Sequence, residues 1–135
     1  MKSVMEIPEV LRVLREAGIQ PSAQRVAVGA FVLDTCTHPS ADQVLAAVKP
    51  SQPSLSRATV YNTLHLFAER GLLHELVIAE GSVVFDPKTG PHHHFVDDDT
   101  GEIVDVAFDA VGVVKQDIPG LAVRDVQVVL RGRRL

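Results

Sequence analysis

The chain has 135 residues, a formal charge of −4 and 46% hydrophobic residues; this suits a packed core and excludes a disordered chain. The acidic balance excludes a polycation, so any nucleic-acid binding must come from a local basic surface. The single cysteine, Cys36, excludes an internal disulfide and a thiolate zinc cluster, and no apolar run or signal-peptide pattern marks a membrane or secreted protein. A cytoplasmic protein is expected, with Cys36 a small buried thiol.

Pro8 opens a first amphipathic helix with Val10, Leu11 and Leu14 on its apolar stripe, and Gly18 sits where a C′ glycine belongs. Pro21-Ser22 starts a second helix carrying Val26, Ala30, Phe31 and Leu33, with Gly29 as a weak point. Ser40-Ala-Asp-Gln43 has the form of a capping box, and Val44, Leu45 and Val48 follow at helical spacing. Ser56 is the N-cap of a fourth helix with Val60, Leu64 and Phe67 on one face, ended by Gly71.

After Gly71 the period changes. Leu72 to Ala79 and Val83-Val84-Phe85 read as two strands joined by a turn at Glu80-Gly81-Ser82. Helices followed by a hairpin outline a winged helix-turn-helix, in which the Ser56 helix is the reading helix. Lys88-Thr-Gly-Pro91 is the linker. Beyond it, His94–Val96 and Glu102–Val106 are two short strands around a polar turn. Phe108 to Asp117 is predicted helical, and Leu121 to Leu130 a strand. The fold class is therefore α+β: a winged-helix domain over 1–87, a hinge at 88–91 and a small α/β domain over 92–135. A core of that size is marginal alone, so a homodimer is expected.

With Val60, Leu64 and Phe67 inward, the fourth helix turns Arg57, Thr59, Tyr61, Asn62 and His65 outward. Arg grips phosphate or guanine, Asn pairs with adenine, and Tyr touches phosphate or a thymine methyl. Ordinary solvated residues would look the same on this helix alone. The helices before it and the hairpin after it favour double-stranded DNA, with Arg25 and Lys49 as further phosphate contacts. So few basic residues give weak non-specific binding, and two half-sites must be held together.

His92 and His94 are two apart. On a strand they share a face, while His93 points away. Asp86 ends the wing hairpin, Asp105 lies within pairing reach of His94, and His38 precedes the third helix. Three nitrogens and two carboxylates suit Fe(II), Mn(II) or Zn(II) without choosing among them. Each piece also has a plainer reading: His38 as a loop residue, and Asp97–Asp99 as a solvated turn rather than a calcium site. A non-haem iron oxygenase using His92, His94 and a carboxylate fits in residue type, but the chain is short for a substrate pocket; a regulator, not an enzyme, is expected.

Together these residues resemble the ferric uptake regulator (Fur) superfamily of bacterial metal-dependent repressors. The resemblance rests on Gly18-Ile-Gln-Pro-Ser-Ala-Gln-Arg25, His38-Pro-Ser-Ala-Asp42, Arg57-Ala-Thr-Val-Tyr-Asn-Thr-Leu64, Phe85-Asp86, His92-His-His94 and Gly101-Glu-Ile-Val-Asp105. It implies a winged-helix DNA-binding domain, a C-terminal dimerisation domain, and a regulatory metal held by His38, Asp86, His92, His94 and Asp105. Asp105, where iron-responsive members carry Glu, is similar to the peroxide-sensing (PerR-like) branch. That implies iron-catalysed oxidation of a ligand histidine, the matching positions being His38 and His92.

Three departures stand out. The family's Cys-x-x-Cys structural zinc motif falls on Asp97 and Thr100, and a second cysteine pair is missing, so no Cys₄ zinc is expected; Phe95, Val96, Val126 and Val128 are the apolar candidates for holding the dimer. A histidine of the family's additional metal site falls near Val126, leaving His93 as a partial remnant. A basic residue aimed at the minor groove is replaced by Gln20. The haem-responsive (Irr-like) branch also has a His triplet, but its Cys-Pro motif is absent, since Thr37 follows Cys36. Sensing of metal supply is the alternative to peroxide sensing.

Overall fold

The computed structural model describes residues 5–35, 37–79, 81–87, 89–113, 117–123 and 126–135. Cys36, Glu80 and Lys88 lie outside them, so the expectations placed on the buried thiol, the first turn residue and the first linker residue fall outside the described residues. The chain divides into two compact units, Met1–Thr89 and Gly90–Leu135.

The N-terminal unit runs α1 (Ile7–Glu16), α2 (Ala23–Val32), α3 (Ala41–Val48), α4 (Arg57–Glu69), β1 (His74–Ala79) and β2 (Ser82–Asp86). Local chemistry sets the helix starts. Ser22, Ser40 and Ser56 each accept a hydrogen bond from the backbone N–H three residues on, and Ser40 with Gln43 completes a capping box. Gly18 at φ 74° closes α1, and the Arg70 guanidinium then binds the Ala17 and Gly18 carbonyls at 3.1 Å each. That ties the end of α1 to the end of α4.

Gly29, a poor helix residue, is explained by packing. A Cβ there would meet Val10 Cγ1 at 2.9 Å, so its absence lets α2 lie against α1. The core gathers Val10, Leu14, Val28, Val32, Val44, Leu55, Val60, Leu64, Phe67, Leu73 and Phe85, all buried. β1 and β2 pair antiparallel, His74 opposite Asp86 and Glu75 opposite Phe85, with an irregularity between Val77 and Ala79. The first strand begins at His74 rather than Leu72 because Leu72 and Leu73 complete the helix exit: the Leu72 N–H bonds the Phe67 carbonyl at 2.9 Å.

The C-terminal unit is a three-stranded sheet ordered β4-β3-β5, with β3 (His92–Asp97), β4 (Ile103–Ala107) and β5 (Val129–Gly132). β3 is central, antiparallel to β4 and parallel to β5. A parallel pair needs a long crossover, and here β4 lies within it. The helix expected at Phe108–Asp117 is not formed among the described residues: only Phe108–Ala110 makes a 3-10 turn, and residues 114–116 lie outside the description. Gly112 and the β-branched Val111 and Val113 disfavour helix. Among the described residues, the strand expected over Leu121–Leu130 is found at Val129–Gly132, where the chain pairs with β3. Among the described residues, no helix is long and apolar enough to cross a membrane.

Candidate metal centre and nucleic-acid face

In the N-terminal unit, His38 leaves the loop before α3 and Asp86 ends β2. The Phe85 N–H bonds the Pro39 carbonyl at 2.9 Å, which pins that loop to the strand. His38 Nε2 and Asp86 Oδ2 stand 3.2 Å apart with both side chains nearly fully buried. A carboxylate is rarely buried without a partner, so this is a built pair, not a stray loop histidine.

In the C-terminal unit, β3 and β4 set His94 directly opposite Asp105. The Nε2 atoms of His92 and His94 lie 3.7 and 3.5 Å from Asp105 Oδ1, and the two rings are 4.5 Å apart. His92 Nδ1 lies 2.6 Å from the Gly90 carbonyl. A carbonyl only accepts, so Nδ1 carries the proton and Nε2 is the nitrogen turned toward Asp105. A ligating histidine is commonly oriented this way by a carbonyl on its other nitrogen.

His93 lies on the opposite face of the strand. It is fully buried, stacks on Phe108 at 4.9 Å, and its Nδ1 accepts the Val128 N–H at 3.2 Å. It joins the central strand to the segment before β5. Nitrogen and carboxylate donors without thiolate fit Fe(II), Mn(II) or Zn(II), and the single cysteine leaves no means of building a Cys₄ site within the chain.

On α4, Val60, Leu64 and Phe67 are buried, and so is Thr63, whose polarity hides it from the apolar pattern. Arg57, Tyr61 and Asn62 are exposed and Thr59 is half-buried. Arg57 Nη2 is engaged by Asp42 Oδ2 of α3 at 3.0 Å, and Thr59 Oγ1 lies 2.9 Å from the N-cap hydroxyl of Ser56. Arg25 donates to the Gln20 carbonyl at 2.8 Å. His65 turns toward the hairpin: Nδ1 is 3.5 Å from Glu75 and its ring meets Phe85 edge-on. Sequence reading misses Asp42 and Gly90 as partners. A backbone carbonyl leaves no side-chain signal, and the Asp42 pairing spans two helices.

A helix-turn-helix with a two-stranded wing, plus histidine–carboxylate clusters in both units, defines a metal-dependent transcriptional regulator rather than an enzyme. The model of the "Ferric uptake regulator family" matches residues 16–131, and the chain belongs to that family. The Peroxide operon regulator of Bacillus subtilis is 36% identical over 111 residues, covering 82% of this chain and 77% of that protein. Among solved structures, the ferric uptake regulator from Pseudomonas aeruginosa with manganese is 27% identical at TM-score 0.66, covering 96% of this chain and 98% of that one. PerR from Streptococcus pyogenes, described for peroxide sensing and gene regulation, is 26% identical at TM-score 0.54, covering 98% and 94%.

Proposed function

We propose that His38, Asp86, His92, His94 and Asp105 hold one regulatory divalent ion per subunit, and that the protein is a peroxide-responsive repressor acting as a homodimer on an operator duplex. The convergence of His92 and His94 Nε2 on Asp105 Oδ1 is the observation that carries this reading. The buried His38–Asp86 pair supports the other half of the ligand set. The ligands come from both sides of the hinge at 88–91, so binding them together fixes the two units against each other. In a dimer this sets the spacing of the two reading helices over two half-sites.

DNA contact is assigned to Arg25, Arg57, Thr59, Tyr61 and Asn62. The dimer reading is supported by the apolar surface that the C-terminal unit leaves exposed, including Phe108, Leu121, Val126 and Leu130. Val96, one of the residues considered for that interface, is already buried, and Phe95 packs beneath Gly132.

Fe(II), if held by these residues, would supply the redox chemistry that lets peroxide act as oxidant, with His38 and His92 as the rings that would take up its oxygen. An oxidised ring no longer presents the same donor nitrogen, and the ligand set that favours the DNA-binding form is lost. Mn(II) supports the same donor set without that chemistry.

The experiment is operator binding by purified protein with Mn(II), with Fe(II) and after chelation, before and after peroxide. Tighter binding with either metal is expected, together with a gain of one oxygen on a peptide carrying His38 or His92 in the Fe(II) sample only. Equal affinity with and without metal would reject the switch. Metal-dependent binding with unmodified histidines would instead assign the protein to sensing metal supply.

A further inference from the structure

We propose that His65 is a positioning residue for operator contact: held against the wing by Glu75 and Phe85, its imidazole fixes the ring of Tyr61 on the outer side of α4. This role rests on the assignment of α4 and Tyr61 to DNA contact, and His65 acts through that neighbour rather than on DNA itself.

Tyr61 and His65 stand at i and i+4 on α4, so their side chains are neighbours on one face of the helix. Their ring centroids lie 5.8 Å apart, with the planes inclined by 31°. His65 also meets Phe85 of β2 edge-on, at 6.3 Å and 88°. Phe85 is 1% exposed and belongs to the helical core, so its position is set by packing. Directly opposite Phe85 in the hairpin is Glu75 of β1, whose Oε2 lies 3.5 Å from His65 Nδ1. Two cross-strand partners of the wing therefore hold one imidazole, and that imidazole stands against Tyr61. Phe85, His65 and Tyr61 make a run of three rings from the core to the surface.

The plainer reading is an idle surface pair. The side chains of His65 and Glu75 are 48% and 35% exposed, and a pair so exposed contributes little to stability. A contact too weak to hold the fold still restricts the ring beside it. Tyr61 is 36% exposed, and a surface side chain that is free before binding loses rotamer freedom on binding. A ring already held has less to lose. Ring contacts of this kind correspond to about a two- to tenfold change in an equilibrium.

Tyr61 is the one tyrosine of the chain, which has no tryptophan, so tyrosine emission reports on that ring alone. In the DNA-free full chain, His65→Ala should lower the anisotropy of this emission and raise its quenching by acrylamide. Glu75→Ala should move both in the same direction, with urea midpoints little changed. On an operator duplex with Mn(II), His65→Ala should weaken binding about two- to tenfold, and should have no further effect in a Tyr61→Ala background. Tyr61 emission indifferent to both substitutions would overturn the positioning role. An undiminished effect of His65→Ala in the Tyr61→Ala background would overturn it as well, making His65 a DNA contact in its own right. The emission measurement contains no DNA and so keeps two failures apart. An operator that the unaltered protein does not bind, with or without Mn(II), sinks the DNA reading and this role with it; normal operator binding with Tyr61 emission unmoved sinks this role alone.

Discussion

His94 and Asp105 face each other directly across β3 and β4, with Nε2 3.5 Å from Oδ1. The register of the sheet therefore delivers a nitrogen and an oxygen donor to one point, and His92, two residues along, adds a second nitrogen at 3.7 Å. Asp105→Asn keeps the shape of the side chain and removes its charge. It should weaken Mn(II) affinity at least about tenfold, because even residues that only orient ligands cost that much. Titration of the metal-free protein checks this, with circular dichroism to show an intact fold. Undiminished affinity would remove Asp105 from the ligand set.

His93 separates a structural histidine from its ligand neighbours. Its ring stacks on Phe108 and its Nδ1 accepts the Val128 N–H. His93→Phe retains the stack and strands that N–H, costing about 1–3 kcal/mol of stability. Urea denaturation should show the loss, while Mn(II) affinity stays within about twofold of the unaltered protein, the reference being the effect of a true ligand. A large fall in metal affinity would instead make His93 a ligand.

Legibility in the sequence follows the range of the interactions. The starts of α2, α3 and α4 are readable because Ser22, Ser40 and Ser56 act on donors three residues away. The facing of His92 and His94 is readable because strand alternation is local. β5 is not, since its limits depend on pairing with a strand more than thirty residues earlier, Val129 with His94. The expected helix after Phe108 fails where apolar spacing is outweighed by Gly112 and the β-branched valines. Asp97 looks solvated because its neighbours Asp98 and Asp99 are, and nothing local reveals that the tail returns to cover it.

Asp97 also predicts a pH dependence. Burial acts to raise its pKa, but the Asp99, Thr100 and Arg134 backbone donors and the Arg134 charge together hold it below the ordinary value of 3.8. Arg134 is shared with Glu102, and Asp98 and Asp99 are the other carboxylates of the turn. A depressed folded pKa means stabilisation that is fully present above the unfolded pKa and is lost as pH falls through the folded one. Urea midpoints should therefore hold near neutrality and drop below about pH 4. Asp97→Asn should lower the neutral midpoint and flatten that acid limb. An acid limb identical in the variant would show that other carboxylates govern it.

Arg57 sits at the start of the reading helix with its guanidinium 3.0 Å from Asp42, and both side chains are about two-thirds exposed, 67% and 63%. An exposed pair of this kind is worth at most about 1 kcal/mol, so a phosphate can displace the carboxylate at small cost. Asp42→Asn frees the arginine and removes a negative charge beside the proposed DNA contact. It should tighten operator binding by up to about fivefold, the equivalent of that pair. Arg57→Ala should weaken binding, and the salt dependence discriminates its role. A phosphate contact lowers the slope of log K against log salt by about one and weakens all sequences alike; a base contact costs about 1–3 kcal/mol on the correct operator and relaxes preference at one position. Binding measured over a range of salt, on the operator and on unrelated duplex, distinguishes the two. If both substitutions leave affinity unchanged on both duplexes, the start of α4 does not touch DNA.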